Sequence, residues 1–262
     1  MSLSKVRIVL VEPAGARNVG AIARAMKNFG LQHLAIVEPR CDPLGDEARQ
    51  MAVHAADVLE AARCVPDLPA ALEGCQRAIA TTARARTAAI ALEPPESALP
   101  WLLDPAIAAA ALVFGPEDRG LSNAELNYAQ RCVGIPTNPD YPSLNLATAV
   151  ALCAYELARS ARATAAGDVH LPAPSLPTPL PTEPPADLAT LEGYYQHLEA
   201  VLLQIGFLYP HTAAARLEKF RRLYARAQPT AEEVALLRGV LRQTAWAIAQ
   251  AARQSSDDRS SD

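Results

Sequence analysis

Two hydrophobic periods alternate along the first part of the chain. Short unbroken apolar runs bounded by turn residues predict buried strands of a parallel sheet at Val6–Glu12, Leu34–Val37, Gln76–Ala80, Ala111–Phe114 and Arg131–Ile135. Between them, apolar residues recur at helical spacing. Ile22, Ala25, Met26 and Phe29 share one face of a helix that follows Arg17, has Asn18 near its cap and stops at Gly30. Met51–Leu59 is the core-facing part of a segment that mixes helix and loop signals. Leu68–Leu72 continues as a short helix, and Trp101–Ala110 reads as helical. In the last helix of this series the apolar set is Leu146, Ala149, Val150, Cys153 and Leu157, with Ser143 placed to cap it. Strands alternating with helices predict an α/β fold with a parallel sheet.

Beyond Arg159 the pattern changes. Leu171–Pro185 is about half proline, with no means of packing a core, and reads as a semi-rigid linker. Three helical stretches follow, at Leu188–Gly206, His211–Ala227 and Glu232–Ala252. Leu191, Tyr194, Tyr195, Leu198, Val201, Leu202 and Ile205 form the apolar set of the first. The expected organisation is an α/β domain over 1–165, a linker over 166–187, a small all-helical extension over 188–254 and a disordered polar tail over 255–262.

Composition narrows the function. Half the residues are apolar, enough for a core, and the formal charge of −4 argues against a uniformly cationic surface while leaving room for local basic faces. The second C-terminal helix is one: Arg216, Lys219, Arg221, Arg222 and Arg226 are opposed on it by Glu218 alone, with Phe220 and Tyr224 interleaved. Such a helix is either a solvated face or a nucleic-acid contact. Five cysteines without a CxxC pair predict reduced thiols and a cytoplasmic setting, with neither a disulfide framework nor a zinc site. The histidines form no ligand-spaced cluster, so no metal is expected. The N-terminus lacks a secretory apolar region, and no run approaches the roughly 18 residues that span a membrane.

Three loops carry candidate chemistry. Thr81, Thr82 and Ala83 follow a strand's carboxyl end, where open α/β sheets bind ligands. Arg84 and Arg86 come next, as a solvated turn or as phosphate contacts. In the second loop Gly115 permits close backbone approach, Gly120 permits positive φ, and Ser122 with Glu125 forms a capping box. None of this requires Glu117. In the third, Ile135 to Leu146, Pro136, Pro139 and Pro142 bar helix and stiffen the chain before a helix N-terminus. The segment is either a ligand-holding loop or an ordinary strand-to-helix connection.

Read together, three stretches resemble the ordered signatures of the SpoU branch of the SPOUT RNA methyltransferases. They are Asn18-x-Gly20-x-x-x-Arg24 with Phe29-Gly30, Leu112 through Leu126, and Ile135-Pro136 through Ser143-Leu144-Asn145-Leu146. The resemblance implies a SPOUT-type parallel sheet with a C-terminal trefoil knot, an exception to the rule against threading. It implies a homodimer whose active sites borrow residues from the partner. It also implies S-adenosyl-L-methionine as methyl donor to a ribose 2'-hydroxyl, with no metal. Carried over residue by residue, Thr81, Thr82, Ala83, Gly115, Ile135, Pro142, Ser143 and Leu144 line the cofactor pocket, and Asn18, Arg24, Glu117, Ser143 and Asn145 surround the acceptor. Pro142 departs from the family, which often has a small polar residue there, and removes one backbone donor. Arg24 keeps its proton beyond pH 12, so its expected role is to hold phosphate and stabilise charge rather than to act as a base.

The runs Lys219–Ala227 and Leu236–Leu241 resemble the C-terminal region of one subfamily, the bacterial methyltransferases of cytidine or uridine at tRNA position 32 in the anticodon loop. That implies tRNA as partner, with Arg17, Arg84, Arg86 and the basic helix on its phosphates. Another RNA site, or a non-catalytic RNA-binding or assembly role, is the alternative.

Overall fold

The computed structural model describes residues 3–83, 92–165 and 184–258. The chain divides into two compact units, Met1–Leu180 and Pro181–Asp262. The first runs β1 (Val6–Val11), α1 (Ala16–Phe29), β2 (His33–Val37), α2 (Asp46–Ala52), α3 (Ala56–Glu60), β3 (Arg63–Val65), α4 (Leu68–Leu72) and β4 (Arg77–Thr81). It continues with β5 (Leu92–Glu93), α5 (Pro95–Ala98), a 3-10 turn at Leu99–Leu103, β6 (Ala110–Phe114), α6 (Asn123–Leu126), β7 (Arg131–Val133) and α7 (Leu146–Ala165).

The strands form one seven-stranded sheet in the order β3-β2-β1-β6-β4-β7-β5, with every pairing parallel. The central strands are the ones legible as unbroken apolar runs. Ile8, Leu10, Ile36, Ile79 and Phe114 are fully buried, because helices cover both faces of a parallel sheet. The connection from β6 to β7 skips β4, an arrangement consistent with the implied knot.

Several expectations are corrected. The helix expected at 101–110 is a short 3-10 turn that covers only 101–103 of that range. Pro105 forces Asp104 to ψ 124°, so the 3-10 turn stops at Leu103 and the chain extends into β6. The sheet also gains β3 and β5, three and two residues long, which lie at its two edges and are too short to show a period. α1 starts one residue after Gly15, which places Arg17 inside its first turn and frees Asn18 from capping. Gly20 has a packing role there, since a Cβ would lie 2.1 Å from the Ala48 carbonyl oxygen of α2.

The second unit holds α8 (Leu188–Gln204), α9 (Ala213–Ala227) and α10 (Ala231–Asp258). Its core joins Leu191, Tyr194, Tyr195, Leu198 and Val201 of α8 to Leu217 of α9 and Val234 and Leu241 of α10. Ile205, expected in that core, is the C-terminal cap of α8 and faces solvent. Most of the expected linker, 166–183, lies outside the described residues. Its end does not: Ala186 is buried and donates its amide to the Pro229 carbonyl at 2.8 Å. α10 runs on to Asp258, past the expected start of the tail. Among the described residues no helix is long and apolar enough to cross a membrane.

Candidate active site

β6, β4 and β7 lie side by side, and the loops leaving their carboxyl ends surround one cleft of about 240 Å³. All eight residues expected to hold a cofactor line it: Thr81, Thr82 and Ala83 after β4, Gly115 after β6, and Ile135, Pro142, Ser143 and Leu144 after β7. The β6 loop folds back tightly. A Cβ on Gly115 would sit 2.3 Å from the Leu121 nitrogen, so only glycine lets the turn close. Gly120 takes φ 66° and donates its amide to Pro116 at 2.9 Å. The capping box forms as expected, with the Ser122 amide donating to Glu125 Oε2 at 2.5 Å and the Glu125 amide to Ser122 Oγ at 3.3 Å.

The proline-rich loop is ordered by its own hydrogen bonds. The Thr137 hydroxyl donates to Pro142 O at 3.3 Å, and the Asp140 amide donates to Asn138 Oδ1 at 3.0 Å. Ser143 does not cap α7. That cap is Asn145, whose Oδ1 accepts from the Thr148 amide at 3.2 Å, which leaves the exposed Ser143 hydroxyl in the cleft. The Thr81 hydroxyl is spent on Val113 O at 3.0 Å and offers a ligand only its lone pairs.

A single hydrogen-bond chain joins residues from all three signatures. Asn145 Nδ2 donates to Asn18 Oδ1 at 3.1 Å, and Asn18 Nδ2 donates to Glu117 Oε1 at 2.8 Å. Glu117 Oε2 accepts from the Ala14 amide at 3.0 Å. Burial alone would raise the Glu117 pKa. The amide of Ala14 and the side chain of Asn18 outweigh it and hold the carboxyl below its ordinary 4.5, ionised at neutral pH. Asn18, Glu117 and Asn145 therefore meet at the cleft edge.

Arg24 does not join them. It is exposed on α1, does not line the cleft, and among the described residues has no hydrogen bond or ion pair. Arg17 is also exposed, beside Met51 Sδ at 4.0 Å. Arg84 and Arg86 lie outside the described residues. On α9, Arg216, Lys219 and Arg226 are exposed and Arg222 is half-buried. Arg221 is different: its guanidinium grips Glu192 of α8 at 2.5 and 2.8 Å and lies 4.6 Å from the Tyr195 ring. The two side chains are only 15% and 13% exposed, so Arg221 is a structural ion and not an open contact.

Two further ions, Asp118 and Arg119, line the cleft, and sequence reasoning assigned them no role. Arg119 donates to Glu125 at 2.9 and 3.0 Å and to Glu12 Oε1 at 2.7 Å, tying the glycine loop to the end of β1. Arg40 grips Asp118 bidentately at 2.9 and 3.0 Å, and this contact brings the Asp118 pKa down to about 2. Asp118 and Arg119 stand between Gly115 and Gly120 in the sequence, and nothing local names their partners.

The cleft suits S-adenosyl-L-methionine. It has apolar walls in Phe114, Leu121, Ile135 and Leu144, a backbone cradle that a Cβ at 115 would fill, and in Glu117 an ionised carboxylate, bonded to an amide and a carboxamide and to no cation, to complement a ligand with a positive charge.

A parallel sheet with a three-loop cleft at its carboxyl edge defines a ligand-binding α/β protein, and the chain belongs to the SpoU rRNA Methylase family, which matches residues 5–155. Residues 189–257 match the C-terminal domain of the tRNA methyltransferase TrmJ. The tRNA (cytidine/uridine-2'-O-)-methyltransferase TrmJ of Pectobacterium atrosepticum is 42% identical over 91% of this chain and 96% of its own length. The enzyme of the same name from Escherichia coli K12 is 40% identical over 91% and 94%. The crystal structure of TrmJ from Z. mobilis ZM4 superposes with a TM-score of 0.77 at 32% identity, covering 90% of this chain and 97% of that one.

Proposed function

We propose that this protein transfers a methyl group from S-adenosyl-L-methionine to the ribose 2'-hydroxyl of cytidine or uridine 32 in the tRNA anticodon loop. The observation that carries the reading is the chain Asn145–Asn18–Glu117 at the mouth of a cleft built from three adjacent strand ends. The named activity of relatives that match nearly the whole chain supports the tRNA substrate.

When bound, the cofactor supplies an electrophilic methyl on a sulfonium. The protein's share is positioning, because an in-line displacement depends on holding the acceptor oxygen against that methyl. Backbone groups of Thr82, Gly115 and Leu144 and the apolar Ile135 hold the donor. The Ser143 hydroxyl orients the ribose hydroxyl, and the Asn18–Glu117 pair fixes the cleft edge beside it. A guanidinium at the acceptor phosphate stabilises the charge that develops on the 2'-oxygen.

Arg24 is that guanidinium, supplied by a second copy of the chain. Its exposure away from its own cleft, and the exposed Leu152 and Tyr155 on α7, support a homodimer that covers this face. The setting is the cytoplasm. Mass spectrometry of tRNA methylated in vitro and digested tests the reading. A 2'-O-methyl mark on nucleotide 32 is expected; a mark elsewhere, or none, overturns it.

A further inference from the structure

A second cavity lies in the helical unit, about 430 Å³ in volume, between the α8–α9 loop and α9. Its walls are Phe207, Arg216, Lys219, Phe220 and Leu223. Phe207 is 51% exposed and Leu223 48%, an unusual amount of apolar surface beside two cations.

The backbone dictates that exposure. α8 ends at Gln204, and Gly206 turns the chain at φ 73°. The amides of Phe207 and Leu208 both donate to Leu202 O at 3.0 Å. Leu208 is buried beneath them, so Phe207 and Tyr209 on either side point outward. Arg216 then fixes Phe207. Its Nη1 donates to the Phe207 carbonyl at 2.9 Å, and its guanidinium lies 5.8 Å from the ring centroid. On the same loop Tyr209 stacks on His211, with centroids 6.0 Å apart and planes 22° apart. Among the described residues no carboxylate lines the cavity.

A rigid, half-exposed aromatic flanked by cations with spare N–H donors matches a nucleobase and its phosphate. We infer that this cavity seats an unstacked base of single-stranded RNA, stacked on Phe207, with the adjoining phosphate held by Arg216 and Lys219. The inference rests on the RNA-substrate reading but concerns a site outside the methyl-transfer cleft. A protein partner would meet two cations with no acid to pair them, so the charge favours a polyanion.

The test uses the full chain and fluorescence anisotropy with a short labelled single-stranded oligoribonucleotide and the same sequence as a duplex. Phe207→Ala is expected to weaken single-strand binding about tenfold and leave duplex binding unchanged, since stacking needs a free base. Phe207→Tyr keeps the ring and is expected to keep the affinity. Equal affinity of wild type and Phe207→Ala for the single strand overturns the proposal. So does a change in sedimentation of Phe207→Ala without a change in RNA affinity, which would make the patch a protein contact. Methylation of tRNA by the wild type, assayed in parallel, reads the catalytic reading alone, so either can fail without the other.

Discussion

The sheet cleft and the face of α9 handle cations in opposite ways. Around the sheet cleft Arg40 and Arg119 are each locked to carboxylates, and what they fix is a backbone loop. On α9 one cation, Arg221, is locked in the same way, while Arg216, Lys219 and Arg226 stand in solvent. The first arrangement gives geometry, which in-line transfer requires. The second gives field, which binding a polyanion requires. A chain of net charge −4 can serve RNA where basic residues such as Arg216, Lys219 and Arg226 gather exposed on one helix.

The contrast breaks most completely at Gly115. Gly115→Val places side-chain atoms against a loop that already stands 2.3 Å from a Cβ, and cofactor binding should vanish by calorimetry while circular dichroism stays native. Binding at wild-type affinity would mean that the loop is not the cradle. Arg24→Ala should remove methylation and leave cofactor affinity unchanged, because Arg24 does not line its own cleft. Loss of cofactor binding in that variant would count against its role at the acceptor.

Neighbouring residues on α9 sharpen the difference. Arg221→Ala leaves Glu192 buried without its partner and should destabilise the helical unit by about 3–5 kcal/mol, read as faster hydrogen exchange in α8 and α9. Arg226→Glu should leave exchange untouched and weaken tRNA binding, with a shallower salt dependence. The same response from both variants would erase the distinction.

The smallest effect expected is at Glu117. Its folded pKa is depressed, so its contribution is present above the ordinary carboxylate value and is lost as pH falls through the lowered one. Glu117→Gln should flatten the acid limb of unfolding free energy against pH, measured by denaturant titration. An unchanged acid limb would show that another group sets it.

Local pattern and distant pairing were not equally legible. The buried centre of the sheet could be read from Val6–Glu12 and Ala111–Phe114 because a strand covered on both faces must be apolar throughout. β3 and β5 could not, since two or three residues at a sheet edge carry no period. Ser143 looked like the cap of α7 because it stands close to a helical run, but Asn145 stands nearer and does it. Arg221 and Arg222 are indistinguishable in sequence, and only Glu192 on another helix separates them.

By itself, then, the sequence determined the apolar runs, the glycines and prolines of three loops, the basic helix, and the residue types available for chemistry. These depend on neighbours along the chain. Tertiary structure decided which of those residues meet. Asn18 reaches Glu117 across 99 positions and Asn145 across 127, and no local period encodes a hydrogen bond between atoms that far apart. Folding of the sheet brings the ends of β1, β6 and β7 to one edge, and that shared edge turns three separate signatures into one site.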